Sequence, residues 1–385
     1  MVKRNICVVI TARPSYSRIK SALLAIEQNP QLNLQLVLAG SALLERYGNA
    51  SRIIEKDGFK VVEKVFNVIE GDSSVIMAKT TGLAIIELSS VFEKIKPDLV
   101  ITIADRFETI ATSIAASYQN IPLVHIQGGE VTGNIDEKVR HANTKLADLH
   151  LVSNQDALDR VLKLGEDKEK VINTGCPSID LAKEVLLDSK FDKLFFERNK
   201  GVGYDLKLND KYLVVMQHPL TTDKENSFKN TTTLLNIINK FNIPTIWFWP
   251  NVDSGSEGVS KAIRVFREKN NDLPIKFLKN MEPKDFLKLL INSTCLIGNS
   301  SVGIRECSFL GVPVVNIGER QNSRLRGQNV IDVSFKKEEI KNAIEKQIKN
   351  GRFQSSYIYG DGDSGKKIAN ELLNFNLSYH KTITY

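Results

Sequence analysis

Short unbroken apolar runs recur along the chain, each followed by a turn and then by a segment whose apolar residues repeat every three or four positions. Such runs predict strands buried on both faces, and such repeats predict amphipathic helices. In the first half, strands are expected at residues 5–10, 34–39, 59–64, 98–103, 122–126, 149–153 and 171–173. Helices are expected after the first of these, with Ile19, Leu23, Leu24 and Ile26 inward, and at 42–56, 74–94, 106–118 and 136–147. A second series predicts strands at 211–216, 245–249, 276–278, 295–297 and 312–316, with helices at 227–240, 257–269, 283–291 and 302–310, then 337–349 and 366–377. Strands alternating with helices specify parallel βαβ units, so the predicted class is α/β, with two Rossmann-like doubly wound domains. The charged stretch 188–208, carrying Gly201 and Gly203, is the expected linker between an N-terminal domain at 1–185 and a C-terminal domain at 205–363.

A chain of 385 residues is long enough for two cores. The balance of 42% hydrophobic and 25% charged residues is that of a soluble globular protein. The net charge of +7 is spread without blocks, which argues against nucleic acid as a partner and suits an anionic metabolite. Cys7, Cys176, Cys295 and Cys307 form no CxxC pair, so neither a metal site nor a disulfide framework is indicated. The first apolar run is too short for a secretion signal or a membrane span, and the expected location is cytoplasmic.

Ligands of open α/β sheets bind at the carboxyl ends of the strands. Gly298-Asn299-Ser300-Ser301-Val302-Gly303 falls at such an end and opens a predicted helix. Small residues there allow close approach of an anion, and Ser300 and Ser301 offer hydroxyls; a plain N-cap and tight turn use the same residues. Glu306, further along, is placed to accept ribose hydroxyls or to face solvent. Asp105 directly follows an apolar strand, and Glu130 and Asp136 lie in and after the glycine-rich loop 128–133. Carboxylates crowded beside a low-dielectric site separate in pKa, which allows one base and one acid. His218 ends another strand beside Pro219, and Arg13 and Arg320 follow strands as natural diphosphate partners. Asn251 suits a base, a phosphate or its own turn, and His125, Arg140 and His141 are candidates to support the carboxylates.

Taken together these stretches resemble the UDP-N-acetylglucosamine 2-epimerase family, and its hydrolysing branch more closely. The resemblance covers most of the chain. It is carried by Arg13 with Tyr16-Ser17, Asp105-Arg106, Gly128-Gly129-Glu130-Val131-Thr132-Gly133, Ile135-Asp136, Arg140-His141-Ala142, Gly175-Cys176-Pro177-Ser178, His218-Pro219, Thr221-Thr222, Pro250-Asn251, Asp253, Gly298-Asn299-Ser300-Ser301, Arg305-Glu306 and Arg320-Gln321. It implies the GT-B fold, with a last helix at about 364–385 returning to the N-terminal domain. It implies that Asp105 and Asp136 are carboxylates needed for activity, and that Ser17, Asn251, Ser300, Ser301, Glu306 and Arg320 contact nucleotide. Where the family has His-Ile-Glu-Gly-Gly-Glu, this chain has Gln127 in place of the first glutamate. An amide cannot be the base, so that role passes to Asp105, Asp136 or Glu130, or Gln127 orients the substrate. The implied reaction converts UDP-N-acetylglucosamine, or an NDP-linked 2,4-diacetamido-2,4,6-trideoxy-glucose, to an N-acetylmannosamine-type sugar plus NDP, in sialic or legionaminic acid synthesis. No cofactor, metal or membrane is implied, and the expected state is a homo-oligomer, dimer or tetramer. A non-hydrolysing epimerase, a GT-B glycosyltransferase and a silent nucleotide-sugar binder remain alternatives.

Overall fold

The computed structural model describes residues 3–384 except 46–49, 72, 132–134, 208–209, 220–224, 251–255 and 271–272, and the side chain of Ile135. Residues Met1–Asp180 and Ile358–Tyr385 pack as unit 1, and Leu181–Tyr357 as unit 2.

Unit 1 begins with β1 (Arg4–Ile10), α1 (Arg13–Gln28), β2 (Leu32–Ala39), α2 (Ala50–Lys56), β3 (Val61–Val65) and α3 (Ser74–Ile95). It continues with β4 (Leu99–Ile103), α4 (Thr109–Tyr118), β5 (Leu123–Ile126), α5 (Ile135–Leu146), β6 (Leu149–Val152), α6 (Gln155–Lys163), β7 (Val171–Asn173) and the start of α7 (Ser178–Leu187). Its sheet runs β3-β2-β1-β4-β5-β6-β7, and every pairing is parallel. The apolar run of β1 serves both faces. Ile6, Val8 and Ile10 join Ile19, Leu23 and Ile26 of α1 in one core, while Cys7 and Val9 join Ala84, Leu88 and Phe92 of α3 in another. That two-sided burial is why the run is unbroken rather than alternating.

Unit 2 contains α8 (Phe195–Arg198), β8 (Val202–Gly203), β9 (Leu213–Met216), α9 (Ser227–Phe241), β10 (Thr245–Phe248), α10 (Ser256–Lys269), β11 (Ile275–Leu278) and α11 (Pro283–Asn292). It ends with β12 (Cys295–Gly298), α12 (Ser301–Ile304), α13 (Glu306–Leu310), β13 (Val314–Ile317), β14 (Val330–Val333) and α14 (Lys337–Asn350). Its sheet runs β14-β13-β12-β9-β10-β11-β8, parallel except for β8, which is antiparallel to β11. The chain then returns to unit 1 as α15 (Ser364–Asn374), whose Ile368, Ala369 and Leu372 enter the α1 core. Arg4 Nη1 donates to the Phe375 carbonyl at 2.9 Å, and the Thr384 N–H donates to the Gly165 carbonyl at 3.0 Å.

Three expectations change. Residues 188–208 are not an open linker: Phe191, Phe195 and Phe196 stack together, and Arg198 and Asn199 grip Asp285 of α11 at 2.7–2.8 Å. The segment thereby supplies the edge strand β8. The helix expected at 42–56 is a 3-10 turn (Gly40–Leu43) and then α2. The helix expected at 302–310 is broken into α12 and α13 at Arg305, where ψ is −75°.

The order of strands reverses between β1 and β4 in unit 1, and between β9 and β12 in unit 2. Ligands of doubly wound sheets bind at these switch points, outside the carboxyl ends of the strands. The residues just past β1 and β4 are Arg13 and Asp105, and those just past β9 and β12 are His218 and Asn299 to Ser301.

Candidate functional site

In unit 1, β4 delivers Asp105 to the switch point, where it is 8% exposed. Arg140 of α5, buried to 1%, forms an ion pair with it through Nη2 and Asp105 Oδ2. Arg140 Nη1 also donates to the Glu130 carbonyl at 2.5 Å, so one guanidinium ties the ends of two loops. The Glu130 carboxylate accepts from Ser153 Oγ at 2.9 Å. Asp136 stands one turn before Arg140 on α5, half-buried, and residues four apart share a helix face. The helix periodicity thus brings Asp136 to the side of the pair Arg140 forms with Asp105.

Two non-glycine residues hold left-handed backbone here: Ala104 at φ 58° and Gln127 at φ 64°, ending β4 and β5. Such strain persists only where surrounding contacts impose it, and it gathers at functional sites. The Ala104 N–H is held by the Ile126 carbonyl at 2.8 Å, and the Gln127 N–H by that of Leu151 at 3.0 Å. His125 Nε2 lies 2.9 Å from the Ala104 carbonyl and Nδ1 3.0 Å from Thr144 Oγ1. A carbonyl only accepts, so Nε2 carries the hydrogen. Burial lowers the His125 pKa to about 3, so the ring is neutral and braces the Asp105 turn. Gln127 Nε2 donates to Cys176 Sγ at 3.3 Å, and Cys176 Sγ lies 3.1 Å from Ser178 Oγ. The remaining Gln127 oxygen is buried with no hydrogen-bond partner among the described residues. His141 stands 3.4 Å from Glu137, on the next turn of α5. Arg13 is the first residue of α1, half-buried, and Ser17 Oγ bonds back to the Arg13 carbonyl at 3.3 Å.

In unit 2, Gly298 has φ 135°, and a Cβ there would collide with the Met216 carbonyl, so only glycine fits between β9 and β12. Asn299, fully buried, accepts from the His218 N–H at 2.8 Å and donates to the His218 carbonyl at 2.9 Å. The Asn299 carbonyl accepts from Gln321 Nε2 at 2.9 Å and Arg320 Nη1 at 3.3 Å. Asn299 therefore joins the ends of three strands. Ser300 caps α12, accepting from the Val302 N–H at 3.5 Å, and Ser301 Oγ accepts from Arg305 Nη2 at 3.1 Å. The sequence suggested a long helix whose dipole would favour phosphate; α12 has four residues, so any anion must be held by hydroxyls, N–H groups and arginines instead. Glu306 Oε2, Gln217 Oε1, Gln321 Oε1 and His218 Nδ1 are all buried without a hydrogen-bond partner among the described residues. Gln217, His218 and Gln321 lie just past β9 and β13, beside the switch point where polar ligands of doubly wound sheets bind. Asn251 lies outside the described residues, as do 132–134, 221–222 and 253.

His218 was read from its strand end as a group for the phosphate or the leaving group. Burial, helped by the nearby Arg320, lowers its pKa to about 3, so it is a neutral hydrogen-bonding group. His150, buried beside Glu166, is also lowered by burial. Where a folded histidine has a pKa below its ordinary value of about 6.5, the unfolded chain binds the extra proton. Stability is then full above that value and is lost as pH falls toward the folded value. Denaturant midpoints are therefore expected to drop between about pH 6.5 and 5, at up to about 1.4 kcal/mol per pH unit for each such histidine. A flat profile over that window would contradict the buried neutral rings.

All four cysteines are free and buried, and burial pushes Cys295 to about 12 and Cys7 and Cys307 upward as well. Those three thiols stay protonated and belong to the packing. The residues that sequence reasoning underrated are Arg140 and Asn299. An arginine within a helix and an asparagine within a turn carry no sign of which distant groups they join.

The profile of the UDP-N-acetylglucosamine 2-epimerase family matches residues 24–373, and the chain belongs to that family. It is 32% identical over 334 residues to the GDP/UDP-N,N'-diacetylbacillosamine 2-epimerase (hydrolyzing) of Campylobacter jejuni, covering 86% of this chain and 85% of that protein. It is 29% identical over 364 residues to the UDP-N,N'-diacetylbacillosamine 2-epimerase (hydrolyzing) of Legionella pneumophila, covering 94% of each. The crystal structure of UDP-GlcNAc 2-epimerase from Neisseria meningitidis, bound to UDP-GlcNAc, superposes with a TM-score of 0.81 at 19% identity, covering 96% of this chain and 100% of that one. The fold is GT-B-like, built from two doubly wound α/β domains.

Proposed function

We propose that the chain is a hydrolysing nucleotide-sugar 2-epimerase, converting a UDP- or GDP-linked 2-acetamido sugar to the mannosamine-type sugar and free NDP. The observation that carries it is the grip of buried Arg140 on Asp105 at the switch point, with Asp136 one turn away on the same helix face. The C2 proton of an acetamido sugar is too weakly acidic for simple removal. Loss of NDP from C1 makes it possible: the C1–O bond breaks with its electron pair leaving on the diphosphate. The C2–H pair becomes the C1=C2 bond of a 2-acetamidoglucal, and one carboxylate takes the proton. Water then gives its hydroxyl to C1, and a carboxylic acid returns a proton to the opposite face of C2. The proton released by water restores the acid, and the base passes the proton it took to solvent.

Asp105 and Asp136 are the two proton carriers, with Glu130 the third carboxylate of the set. Gln127, an amide tied to Cys176, carries no proton and orients the sugar. Ser300, Ser301, Arg320 and neutral His218 hold the diphosphate, with Arg13, Ser17 and Asn251 as further nucleotide contacts. The unsatisfied oxygen of Glu306 accepts from ribose hydroxyls. The names of the Campylobacter and Legionella relatives favour a 2,4-diacetamido-2,4,6-trideoxy sugar, and on that reading the enzyme acts before nonulosonic acid formation, in the cytoplasm. UDP-N-acetylglucosamine is the other substrate to test.

The test is incubation with a panel of UDP- and GDP-sugars in D2O, followed by NMR of the sugar released. The expected product is a free mannosamine-type sugar with deuterium at C2, because its new proton comes from a solvent-exchangeable acid. Product without C2 deuterium removes the elimination route. A product still bearing NDP identifies a non-hydrolysing epimerase. NDP release only with an acceptor identifies a glycosyltransferase, and binding without turnover identifies a silent binder.

A further inference from the structure

Helix α5 carries Asp136 and Arg140 in its first half, and unit 1 also holds it by its second half. Asn143 Nδ2 donates to Thr109 Oγ1 of α4 at 2.8 Å, and Asn143 Oδ1 accepts from Ser113 Oγ at 2.8 Å. Thr144 Oγ1 meets the His125 ring that braces the Asp105 turn. The last carbonyls of a helix have no partner within it. Here a partner comes from more than two hundred residues further along the chain. Lys381 Nζ donates to the Thr144 carbonyl at 3.3 Å and to the Ala147 carbonyl. The helix dipole also favours a cation at this end.

Lys381 belongs to the tail that follows α15, and its own position is fixed from the other side. Its ammonium pairs with Glu166, whose side chain is 3% exposed. The same carboxylate accepts from His150 Nε2 at 3.0 Å and from Lys145 Nζ of α5 at 2.7 Å. Burial raises a carboxyl pKa, but these donors outweigh it and hold Glu166 at about 2, so it stays charged. Beside it, the Thr384 N–H donates to the Gly165 carbonyl at 3.0 Å. Ile383 lies so near that a Cβ on Gly165 would stand 3.0 Å from it. Among the described residues none after Phe375 enters a hydrophobic core. What the tail adds to unit 1 is therefore its hold on α5 and on the turn at Gly165.

We infer that Lys381 is a positioning residue for the proposed reaction: through it the tail pins the end of α5 and so sets Asp136 and Arg140 at the Asp105 turn. That role presupposes the proton transfers described above. Such transfers are steep in distance, and a displacement of about 1 Å can cost about 10²-fold in rate. The nucleotide contacts proposed in unit 2 lie on other elements, so the loss falls on turnover rather than on binding.

The test is steady-state kinetics with the active sugar nucleotide, together with hydrogen exchange of α5 peptides read by mass spectrometry. Lys381→Met is expected to lower kcat on the order of tenfold with KM within about threefold of wild type, and to speed exchange in α5. Lys381→Cys should behave alike. Alkylating it with 2-bromoethylamine rebuilds an ammonium of nearly lysine length and should restore kcat to within about threefold; the four native cysteines are buried. Lys367, on α15 and paired with Asp361 at 2.8 Å, is the control, and Lys367→Met should leave kcat and α5 exchange unchanged. A Lys381→Met enzyme with wild-type kcat overturns the inference. So does a loss confined to KM, a loss that alkylation does not reverse, or α5 exchange equal to that of wild type. A wild type that turns over no sugar nucleotide overturns the proposed reaction instead, and α5 exchange, which needs no activity, still decides whether the tail holds the helix.

Discussion

Replacing Asp105 with asparagine is expected to lower turnover by at least about 10²-fold, the scale for losing a general acid or base. The amide keeps the shape and can still accept a hydrogen bond from Arg140, but it cannot take or return the C2 proton. Substrate affinity should change little, because the proposed nucleotide contacts Ser300, Ser301, Glu306 and Arg320 are elsewhere in the chain. The measurement is kcat and KM for the active sugar nucleotide, with C2 deuterium incorporation on any residual product. Activity within about threefold of wild type would remove Asp105 from the proton-carrying pair. Loss of activity with a matching loss of nucleotide binding would mean the residue shapes the protein rather than the reaction.

The second large effect is on stability. Arg140→Met is expected to cost unit 1 about 3–5 kcal/mol, because it leaves the buried Asp105 carboxylate without its counter-charge. It also removes a donor from the Glu130 carbonyl. For a domain of this size, each kcal/mol lowers Tm by about 2–4 °C, so a drop on the order of 10 °C is expected. Adding Asp105→Asn to Arg140→Met should recover part of that loss, since the stranded charge is gone. This non-additivity separates a charge-pairing role from simple cavity formation. A single variant that unfolds within about 1 °C of wild type would contradict the role of Arg140 as the buried hub.

The strands were the most legible feature, because a strand buried on both faces is apolar at almost every position. Leu99–Ile103 and Cys295–Gly298 are such cases. Helix α3 was equally plain, its buried Thr80, Ala84, Leu88 and Val91 spaced three or four apart. The segment 188–208 was misread because charge and glycine describe its exposed side, whereas its position depends on a phenylalanine stack and on Asp285 far along the chain. The break at Arg305 was hidden for a different reason: apolar periodicity continues through it, and nothing in that periodicity marks where the backbone turns. Among site residues, Asp105 and His218 could be placed by their position at strand ends. The protonation of His218 could not, because composition says nothing of how deeply a ring is buried.

The return of the chain to unit 1 has a consequence for synthesis. Unit 2 is one unbroken stretch, Leu181–Tyr357, whereas the unit 1 core requires Ile368, Ala369 and Leu372. A nascent chain emerges from its amino end, and domains fold as their segments become available. The half of the protein made first is therefore the half finished last. Until α15 arrives, the α1 face that receives it stays uncovered, and the growing polypeptide carries an exposed apolar groove through the whole of unit 2 translation. A ribosome stalled before residue 364 would display a completed second domain on an unfinished first one, a species open to chaperones and proteases.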